Sequence, residues 1–565
     1  MIDKETLRKV LVGNQRAVEQ YAVLSRDIPS DDYERIVLVG ARRAGKSFML
    51  YQKMQDLMKR GHGWDEMLYL NFEEDRLMGF SIEDFEKILE CHAEMYGKRP
   101  KLFLDEIQNV AGWERFARRM ADMKYFIWIT GSNQQMLSKD IQARLGGRYS
   151  VKEVYPYSLY EYLKANGIEY DHTASYGMEY KADLMQKWNE YLEWGGMPEI
   201  ADISSDKPRK RDYLRDTFGK IYLGDIKGRL GISSPNEIHL RILLKKMAES
   251  VNQPQTYTNF MHILSSIGGK VTLPTITKYV EGCEDAWLIL RLRNYSSRFS
   301  EKETSCKYYF IDNGFLNLQI DDRKGALLEN AVALSLFRKY GREDQLYFYR
   351  DNIEVDFYVP DDNLAIQVSY SIHGSIDTFN REKDALTKFA NYKQGCKRLI
   401  VTNDDNEIIT DEFGEIEVIP FWKWNLLNDL QKARKIELIP LLRQYMDFKK
   451  AMPNLVPLFH VSGSYETYQA DAELVAKVLK IPVLESATHI GPDGNPARYV
   501  AISEHDLEGC RKILLDNKVG MALLEDSNLE KDDVKDDSLK SSEPLSHERN
   551  DSLDLGKDGS HGRHR

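Results

Sequence analysis

The chain has 565 residues, of which 42% are hydrophobic and 30% are charged, and its formal net charge is −11. This length predicts several domains, because single hydrophobic cores stop growing near roughly 250–300 residues. The negative charge argues against a protein that coats nucleic acid nonspecifically, although it leaves room for a local basic groove. No apolar run approaches the roughly 20 residues that span a bilayer, so we expect a cytoplasmic protein without a membrane partner.

The first motif is a glycine-flanked lysine after a short apolar run, in RIVLVGARRAGKSFML from Arg35 onward. The apolar run predicts a buried strand that Gly40 ends. Four residues separate Gly40 from Gly45, and Lys46 follows directly, which is the spacing of a phosphate loop. Lys46 is predicted to reach the β- and γ-phosphates, and Ser47 to offer its hydroxyl to Mg²⁺. The residues that follow predict a helix whose N-terminal dipole also attracts phosphate.

Two adjacent carboxylates follow a second apolar strand in KLFLDEIQ, residues 101–108. Asp105 ends the predicted strand, where it can hold Mg²⁺ through water, and Glu106 can act as general base toward the attacking water. Such a pair also suits a solvated turn. Its position downstream of Lys46 favours the catalytic interpretation.

A third apolar strand, in YFIWITGSN, ends before Ser132 and Asn133. A polar side chain at that point can sense the γ-phosphate, and an ordinary turn is the alternative. Together with runs at residues 69–72 and 149–154, these strands predict a five-stranded parallel sheet.

Two arginines in ARLGGRY, Arg144 and Arg148, are candidates for stabilising phosphoryl charge. Such an arginine can act within its own chain or in the site of a neighbouring chain. A solvated loop explains both residues equally well, so the sequence leaves these alternatives open.

The motifs GARRAGKS, YLNFEED, LFLDEIQ, TGSN, LGGRY, YPYSLYEYL and WGGMPE occur in an order that resembles the prokaryotic AAA-like ATPases with a C-terminal restriction-endonuclease-like domain. The resemblance extends to about residue 420 and implies an ATPase domain over residues 1–200 that uses ATP and Mg²⁺. It also implies a helical region over 201–300 with a winged-helix-like segment, whose recognition-type helix is 275–280. Winged helices bind DNA or only pack domains together, and the sequence does not choose between these roles.

The same resemblance implies an endonuclease-like α/β domain over residues 301–425, in which a helix glutamate, a strand aspartate and a Glu-x-Lys triplet share a metal. The matching positions are Glu329, Asp356, Gln367 and Ser369. An amide binds Mg²⁺ far less well than a carboxylate, and serine supplies no cation. We therefore predict an endonuclease-like fold that has lost its chemistry, with Asp356 pairing at a strand edge as the alternative to an active nuclease.

Residues 441–526 resemble the N-terminal mismatch-recognition domain of the bacterial mismatch-repair protein MutS, through LLRQYMDFKKAMPNLVPLFHVSGSYETYQADAELVAKVLKI. That family wedges an aromatic ring against an unpaired base while a neighbouring glutamate hydrogen-bonds it. The resemblance implies a small α/β domain with Ser464 at the wedge position, before Tyr465 and Glu466. Serine has no ring to stack, and the Tyr-Glu pair equally suits an ordinary strand end. Residues 527–565, rich in charge and serine, predict a disordered tail.

The sequence thus predicts an α/β chain with a P-loop NTPase parallel sheet core, followed by winged-helix-like, endonuclease-like and small α/β parts. The function that fits best is an ATP-binding ATPase that couples its nucleotide state to C-terminal DNA-processing-like domains. One alternative is an ATP-driven DNA nuclease, and another is a nonenzymatic, nucleotide-regulated binding or scaffold protein. DNA, a protein partner and an oligomeric assembly all stay open as partners.

Overall fold

The computed structural model describes residues 2–28, 34–132, 136, 139–169, 178–203, 206–230, 237–295, 304–321, 323–342, 344–426, 444–445, 448–449, 451–461, 464–490, 496–503 and 506–524. The chain divides into two compact units, Met1–Asp429 and Leu430–Arg565. Within the described residues, every helix is too short or too polar to traverse a lipid bilayer.

The first sheet of Met1–Asp429 consists of five parallel strands in the order β2-β3-β4-β1-β5. They are β1 (Arg35–Gly40), β2 (Met67–Asn71), β3 (Lys101–Asp105), β4 (Ile127–Gly131) and β5 (Ser150–Val154). The first four are almost wholly buried, as expected for parallel strands covered on both faces. The predicted α/β fold with a parallel core sheet is confirmed, and each predicted strand lies within two residues of an observed one.

Six helices accompany this sheet. They are α1 (Lys4–Gln20), α2 (Lys46–Lys59), α3 (Asp84–Tyr96), α4 (Trp113–Asp122), α5 (Lys139–Leu145) and α6 (Leu159–Ala165). Helix α1 begins where Asp3 accepts a hydrogen bond from the Thr6 N–H. Helix α6 begins with a reciprocal capping box between Ser158 and Glu161, which satisfies two free donors of the first turn.

A helical region follows the first sheet. Its members are α7 (Met178–Trp194), α8 (Pro198–Asp202), α9 (Lys207–Asp216), α10 (Leu223–Arg229), α11 (Glu237–Glu249), α12 (Tyr257–Gly268) and α13 (Leu273–Asp285). A π-helical turn, Thr217–Tyr222, joins α9 to α10. The expected recognition-type helix, residues 275–280, lies inside α13.

The second sheet of this unit has eight strands in the order β12-β13-β11-β10-β9-β8-β6-β7. They are β6 (Ile289–Asn294), β7 (Cys306–Phe310), β8 (Tyr347–Arg350), β9 (Glu354–Val359), β10 (Leu364–Val368), β11 (Lys397–Thr402), β12 (Glu407–Asp411) and β13 (Gly414–Pro420). Three helices belong to the same region, α14 (Asn313–Asn317), α15 (Lys324–Tyr340) and α16 (Ile376–Tyr392). Strands β6 and β7 pair antiparallel, so the domain boundary expected at residue 300 divides one sheet.

The second unit, Leu430–Arg565, contains a five-stranded sheet in the order β16-β17-β15-β14-β18. Its strands are β14 (Val456–Val461), β15 (Ser464–Tyr468), β16 (Leu484–Ile490), β17 (Pro496–Ser503) and β18 (Met521–Leu524), and its helices are α17 (Gln469–Leu479) and α18 (Leu507–Asp516). In this unit Phe459 is buried, and Leu479 packs partly buried against the main hydrophobic cluster. The predicted disordered tail lies outside the described residues.

Candidate functional site

The predicted phosphate loop, residues 40–47, lies at the carboxyl edge of the first sheet between β1 and α2. Gly40 approaches the neighbouring strand so closely that an added Cβ would lie 2.0 Å from the Val154 carbonyl oxygen. Gly45 has φ +90°, a left-handed conformation that strains any residue with a Cβ. The loop therefore requires one glycine for space and the other for backbone conformation.

Lys46 begins α2, and its side chain is buried within the loop. Its Nζ donates to the carbonyl oxygens of Gly40 (3.2 Å) and Ala41 (3.0 Å) and lies 3.6 Å from Glu106 Oε1. The first-turn N–H groups of a helix have no partners within the helix, so this end also attracts anions. The loop thus directs an ammonium group and a helix N-terminus to one place.

Asp105 ends β3 and is completely buried. It accepts hydrogen bonds from the hydroxyls of Tyr69 (3.0 Å), Thr130 and Ser47. Burial raises the pKa of Asp105, and the charge of the adjacent Glu106 raises it further. The structure therefore brings Ser47 and Asp105, the two predicted metal-binding residues, into direct contact.

Glu106 turns the chain away from β3 with φ 52°, a left-handed conformation that is uncommon for a residue other than glycine. Its N–H donates to Thr130 Oγ1 (2.9 Å), and its carboxylate accepts from Gln108 Nε2. Burial favours the neutral acid, but the charge of Lys46 and the hydrogen bonds from Gln108 and Ser132 together outweigh it and hold the pKa of Glu106 below its usual value. Glu106 is therefore an ionised base at neutral pH, and strained backbone is typical of functional positions.

The structure describes one of the two polar residues predicted after β4. Ser132 is buried, lies 3.4 Å from Gln108 Nε2 and hydrogen-bonds Glu106. Asn133 lies outside the described residues. The sequence missed Gln108, whose side chain bridges toward both Glu106 and Ser132, although it belongs to the quoted KLFLDEIQ motif.

The two candidate arginines lie away from this site within one chain. Arg144 donates to Glu114 (2.8 Å), and Arg148 donates to Asp122 (2.6 Å). Arg148 directly precedes β5, so it lies near the amino edge of the parallel sheet, and six residues of extended chain separate it by roughly 20 Å from the carboxyl end of that strand. This position favours the alternative in which Arg148 acts in the site of a neighbouring chain, whereas the contact of Arg144 with Glu114 in the first turn of α4 leaves both alternatives open for Arg144.

A third carboxylate that sequence reasoning did not assign, Glu73, follows β2 at the same edge. Its Oε1 lies 3.5 Å from Arg42 Nη1, and burial followed by the charge of Glu106 raises its pKa. Arg42 also contacts Asp225 on α10 through its Nε, at 2.6 Å. A signal was present, because Glu73 follows a predicted strand and parallel strands end at one edge.

Arg26 is a second missed residue, in the segment before β1. Its Nη1 donates to the Ala44 carbonyl of the phosphate loop (2.7 Å), and its Nε and Nη2 form a bidentate pair with Glu161 (2.7 and 3.0 Å). Nη2 also donates to the Tyr155 carbonyl at 3.0 Å. No sequence pattern marks an isolated arginine as the support of a loop eighteen residues later.

Three of the four predicted endonuclease-like residues converge in the second sheet. Glu329 lies on α15, Asp356 on β9 and Gln367 on β10, where Gln367 Oε1 accepts from the Asp356 N–H (2.8 Å). Ser369 does not reach them, because its hydroxyl donates to the Ser371 carbonyl (3.1 Å). Among the described residues, no group of three or more His, Cys, Asp or Glu side chains is arranged to hold a metal ion.

A lysine that sequence reasoning missed stands among these carboxylates. Lys307 of β7 is fully buried, and its Nζ lies 2.9 Å from Asp356, 3.2 Å from Glu354 and 3.3 Å from Glu329. We name these four residues the Lys307 cluster. Burial lowers the pKa of Lys307, but the three carboxylates outweigh burial and raise it well above its usual value.

Gln367 occupies the position where the resemblance implies a second carboxylate, and its amide forms hydrogen bonds with the surrounding elements. Its Nε2 donates to Glu382 on α16 (3.0 Å) and to the Glu354 carbonyl (3.3 Å). Burial, followed by the charge of Asp356, raises the pKa of Glu382 to about 7. The amide is thus a hydrogen-bonding link between β9, β10 and α16.

In the second unit, the predicted mismatch-reading residues lie together on β15. Tyr465 is partly buried against the hydrophobic core, with its ring 5.0 Å from that of His460. Glu466 accepts a hydrogen bond from the Tyr468 hydroxyl (2.8 Å), and burial raises its pKa. Ser464 pairs at the strand end with Val461 and with β17. The two residues after Ser464 are therefore engaged within the domain.

Three family models match separate parts of the chain. A model described as an AAA domain matches residues 32–163, one described as a domain of unknown function (DUF8612) matches 185–324, and one described as MutS domain I matches 439–540. The first carries the phosphate loop and the Asp105–Glu106 pair. The third agrees with the resemblance predicted for the C-terminal module.

Two relatives match much of the chain. The uncharacterised protein MJ1544 of Methanocaldococcus jannaschii is 32% identical over 448 residues, which cover 75% of this chain and 96% of the relative. An uncharacterised protein of Haemophilus influenzae is 30% identical over 400 residues, which cover 69% and 94%. Among solved structures, the Walker-type ATPase PABY2304 of Pyrococcus abyssi matches with 16% identity and a TM-score of 0.32, over 56% of this chain and 96% of that one. The chain, whose residues 32–163 match an AAA domain, therefore belongs to the same protein family as the Methanocaldococcus and Haemophilus proteins.

Proposed function

We propose that this chain hydrolyses ATP at the carboxyl edge of the first sheet. One observation supports this most directly, the 3.6 Å separation between the Lys46 ammonium and the Glu106 carboxylate at the N-terminus of α2. In this proposal Lys46 would bind phosphate, and Glu106, held ionised, would act as the base. Hydrolysis of a nucleotide γ-phosphate needs both groups within one water molecule's reach.

The phosphate loop would supply binding. Lys46 and the N–H groups around Gly45 would contact the phosphates, and the loop's hydrogen bonds to itself would keep those donors in place. Ser47 and Asp105 would hold Mg²⁺, since their contacting oxygens are the hard donors this ion takes. When bound, the ion would neutralise charge on the phosphates.

Glu106 would accept the proton of the attacking water. Gln108 and Ser132 would orient its carboxylate, and Lys46 keeps it ionised. The nearby Glu73 would add negative charge that attracts the Mg²⁺ and limits its position. The position of Asn133 in the sequence, directly after Ser132, makes it a candidate γ-phosphate sensor.

Arg148 would act in the site of a neighbouring chain, because the amino edge of the sheet faces away from its own phosphate loop, and Arg144 would act in its own site or in that of a neighbouring chain. Arg144 is mostly exposed, with 65% of its side chain accessible. This role requires an oligomer in which the amino edge of one sheet meets the carboxyl edge of the next. An arginine supplied in trans stabilises transferring phosphoryl charge.

The nucleotide site would be coupled to the second sheet through the segment after β5. Arg26, which holds the phosphate loop, donates to the Tyr155 carbonyl, and Arg338 of α15 donates to the Pro156 and Tyr157 carbonyls (both 3.1 Å). Helix α15 also carries Glu329. Movement of the loop would therefore reach the region that resembles an endonuclease, and through it any DNA or protein partner.

Steady-state phosphate release and ATP binding, each measured with and without DNA, test the proposal. We expect Lys46→Ala to lose ATP binding, because it removes the cation that meets phosphate. We expect Glu106→Gln to keep binding while hydrolysis falls about 10²–10⁴-fold. Lys59→Ala, an exposed lysine at the other end of α2, is the matched control and should resemble wild type.

Unchanged ATP affinity in Lys46→Ala would overturn the assignment of the loop. Binding without turnover in the wild-type chain would instead favour the nonenzymatic scaffold. DNA cleavage that depends on ATP would favour the ATP-driven nuclease.

A further inference from the structure

The resemblance to restriction endonucleases implies a metal at the second sheet, and the residues there do not fit one. Metal sites of that kind need carboxylate oxygens that face a shared space. In the Lys307 cluster that space holds the Lys307 ammonium, which lies 2.9–3.3 Å from oxygens of Asp356, Glu354 and Glu329. These separations suit N–H···O hydrogen bonds and exceed the 2.0–2.6 Å of Mg²⁺ or Ca²⁺ coordination.

The Lys307 ammonium is engaged by carboxylates of the fold. Its Nζ donates hydrogen bonds to Asp356 and Glu329 and forms an ion pair with Glu354, so its partners lie on β9 and α15. Its side chain has no exposed surface. A substrate phosphate would therefore have to displace these carboxylates from a buried lysine, which argues against a lysine relocated for catalysis.

Two of the carboxylates also accept hydrogen bonds from neighbouring groups of the fold. Asp356 Oδ2 accepts from the Val368 N–H (3.0 Å), and Glu329 Oε1, which also contacts Lys307, accepts from the Tyr309 hydroxyl (2.9 Å). Gln367, where a second metal-binding carboxylate is implied, donates to Glu382 and accepts from the Asp356 N–H. The Lys307 ammonium and these hydrogen bonds compensate the cluster without an added ion, as charges inside a protein require.

We propose that Lys307 is a built-in cation that takes the place of a divalent metal in this carboxylate cluster and makes the site a metal-independent structural centre. The proposal explains why an acidic cluster persists beside Gln367 and Ser369, positions that lack the implied carboxylate and lysine. It concerns the second sheet alone and does not depend on ATP hydrolysis.

The test is Mn²⁺ binding by the full-length chain without nucleotide, followed by electron paramagnetic resonance of free Mn²⁺. We expect Lys307→Met to bind one more Mn²⁺ per chain than wild type, because three carboxylates then lose their cation. Lys307→Met combined with Asp356→Asn should return to the wild-type number. The control is Lys210→Met, since Lys210 is equally buried but contacts one carboxylate, Glu190 at 3.3 Å.

Thermal unfolding gives a second readout. The Lys307→Met midpoint should fall, then rise by roughly 3 °C or more when Mn²⁺ exceeds its dissociation constant about 100-fold, because an ion that binds only the folded state stabilises it. A variant that folds only when Mn²⁺ is present counts as the same result. Lys210→Met should also lose stability but should not recover with Mn²⁺.

Three results would overturn the proposal. One is Mn²⁺ binding by the wild-type chain that disappears in Asp356→Asn, since the natural cluster would then hold metal. The second is a folded Lys307→Met that binds no more Mn²⁺ than wild type. The third is added binding that survives the Asp356→Asn change, because the ion would then lie elsewhere.

Discussion

Lys46 and Lys307 are both buried lysines next to carboxylates, but the two sheets of Met1–Asp429 surround them differently. Lys46 has one carboxylate, at 3.6 Å, and otherwise donates to backbone carbonyls of a glycine loop. Lys307 has three carboxylates within 3.3 Å. An ammonium with one distant anionic partner can exchange carbonyls for a phosphate, whereas an ammonium enclosed by three anions is already neutralised.

The backbone around each lysine supports the same distinction. Lys46 follows Gly45, in a left-handed conformation, and begins a helix whose free N–H groups add to its charge. Lys307 lies within β7, where both backbone groups serve the sheet and the side chain alone meets the cluster. The first arrangement favours binding of an external anion, and the second favours stability of the fold.

The sharpest way to test this contrast is to replace both lysines by methionine and compare the free energy of unfolding. Removing Lys307 leaves the buried Glu329 and the partly buried Glu354 and Asp356 without their cation, so we expect a loss of about 3–5 kcal/mol. Removing Lys46 leaves one carboxylate less compensated, so we expect a loss of about 1 kcal/mol. Urea unfolding of the full-length chain, followed by tryptophan fluorescence, measures both, and equal losses would break the comparison.

A second test uses pH, because the pKa values of Glu329 and Glu382 are shifted in the direction opposite to that of Glu106. Burial raises the pKa values of Glu329 and Glu382 to about 7, whereas Lys46 holds that of Glu106 below its usual value. Between pH 5 and 7 the folded chain keeps protons on the first two acids that the unfolded chain releases. The free energy of unfolding should therefore fall as pH rises through this window, by about 1–3 kcal/mol per group.

The control for pH is a pair of glutamine variants. Glu382→Gln should flatten the slope between pH 5 and 7, because it removes one of the shifted acids while its amide oxygen can still accept from Gln367. Glu94→Gln should leave that slope unchanged, since hydrogen bonds from Lys4 and Arg8 hold the pKa of this exposed glutamate below its usual value. If the free energy of unfolding of Glu382→Gln decreased more steeply with pH than that of wild type, the predicted direction of the pH dependence would be wrong.

These two sites also show what sequence could predict. The parallel sheet was predictable because β1 to β4 are short apolar runs, two of which end in a recognisable residue, Gly40 and Asp105. The phosphate-loop residues lie within eight positions of one another, so their spacing alone carries the chemistry. Asp105 and Glu106 could be added because parallel strands end at a common edge.

The Lys307 cluster could not be predicted in the same way. Its partners are 22 to 49 residues from Lys307 along the chain, and they meet only after β7, β9 and α15 pack together. A lysine in the strand CKYYF suits a solvent-facing position of an alternating strand, so its burial has no local signal. Arg26 is similar, since its bidentate partner Glu161 is 135 residues away.

Arg26 provides the third test, because it supports the phosphate loop without being placed to contact nucleotide. We expect Arg26→Ala to raise the KM for ATP about tenfold with a smaller change in kcat, as a loosened loop weakens ground-state and transition-state binding alike. Arg26→Lys should restore little, because one ammonium cannot reproduce a guanidinium that contacts Glu161 and the Ala44 carbonyl together.

Steady-state phosphate release over a range of ATP concentrations separates KM from kcat for these variants. The exposed Arg16 on α1 supplies the matched control, and Arg16→Ala should behave as wild type. A fall in kcat with unchanged KM would instead give Arg26 a direct role in the chemical step. Such a result would remove Arg26 from the loop-supporting residues.

The smallest expected effect concerns duplex binding by the second unit. This unit matches MutS domain I, but its side chains lack the aromatic wedge of that family. Aromatic stacking contributes roughly 1–3 kcal/mol per base, and Ser464 supplies none. Tyr465 is an unsuitable substitute, because it packs against the core, and Glu466 already accepts from Tyr468.

We therefore expect the full-length chain to bind matched and mismatched duplexes of equal length with dissociation constants within about twofold of each other. Fluorescence anisotropy across a salt series measures this ratio, and any shared affinity should weaken steeply with salt because it comes from phosphate contacts. Tyr465→Ala should leave the ratio unchanged, whereas a mismatch preference that persists at high salt and vanishes in this variant would make Tyr465 the wedge.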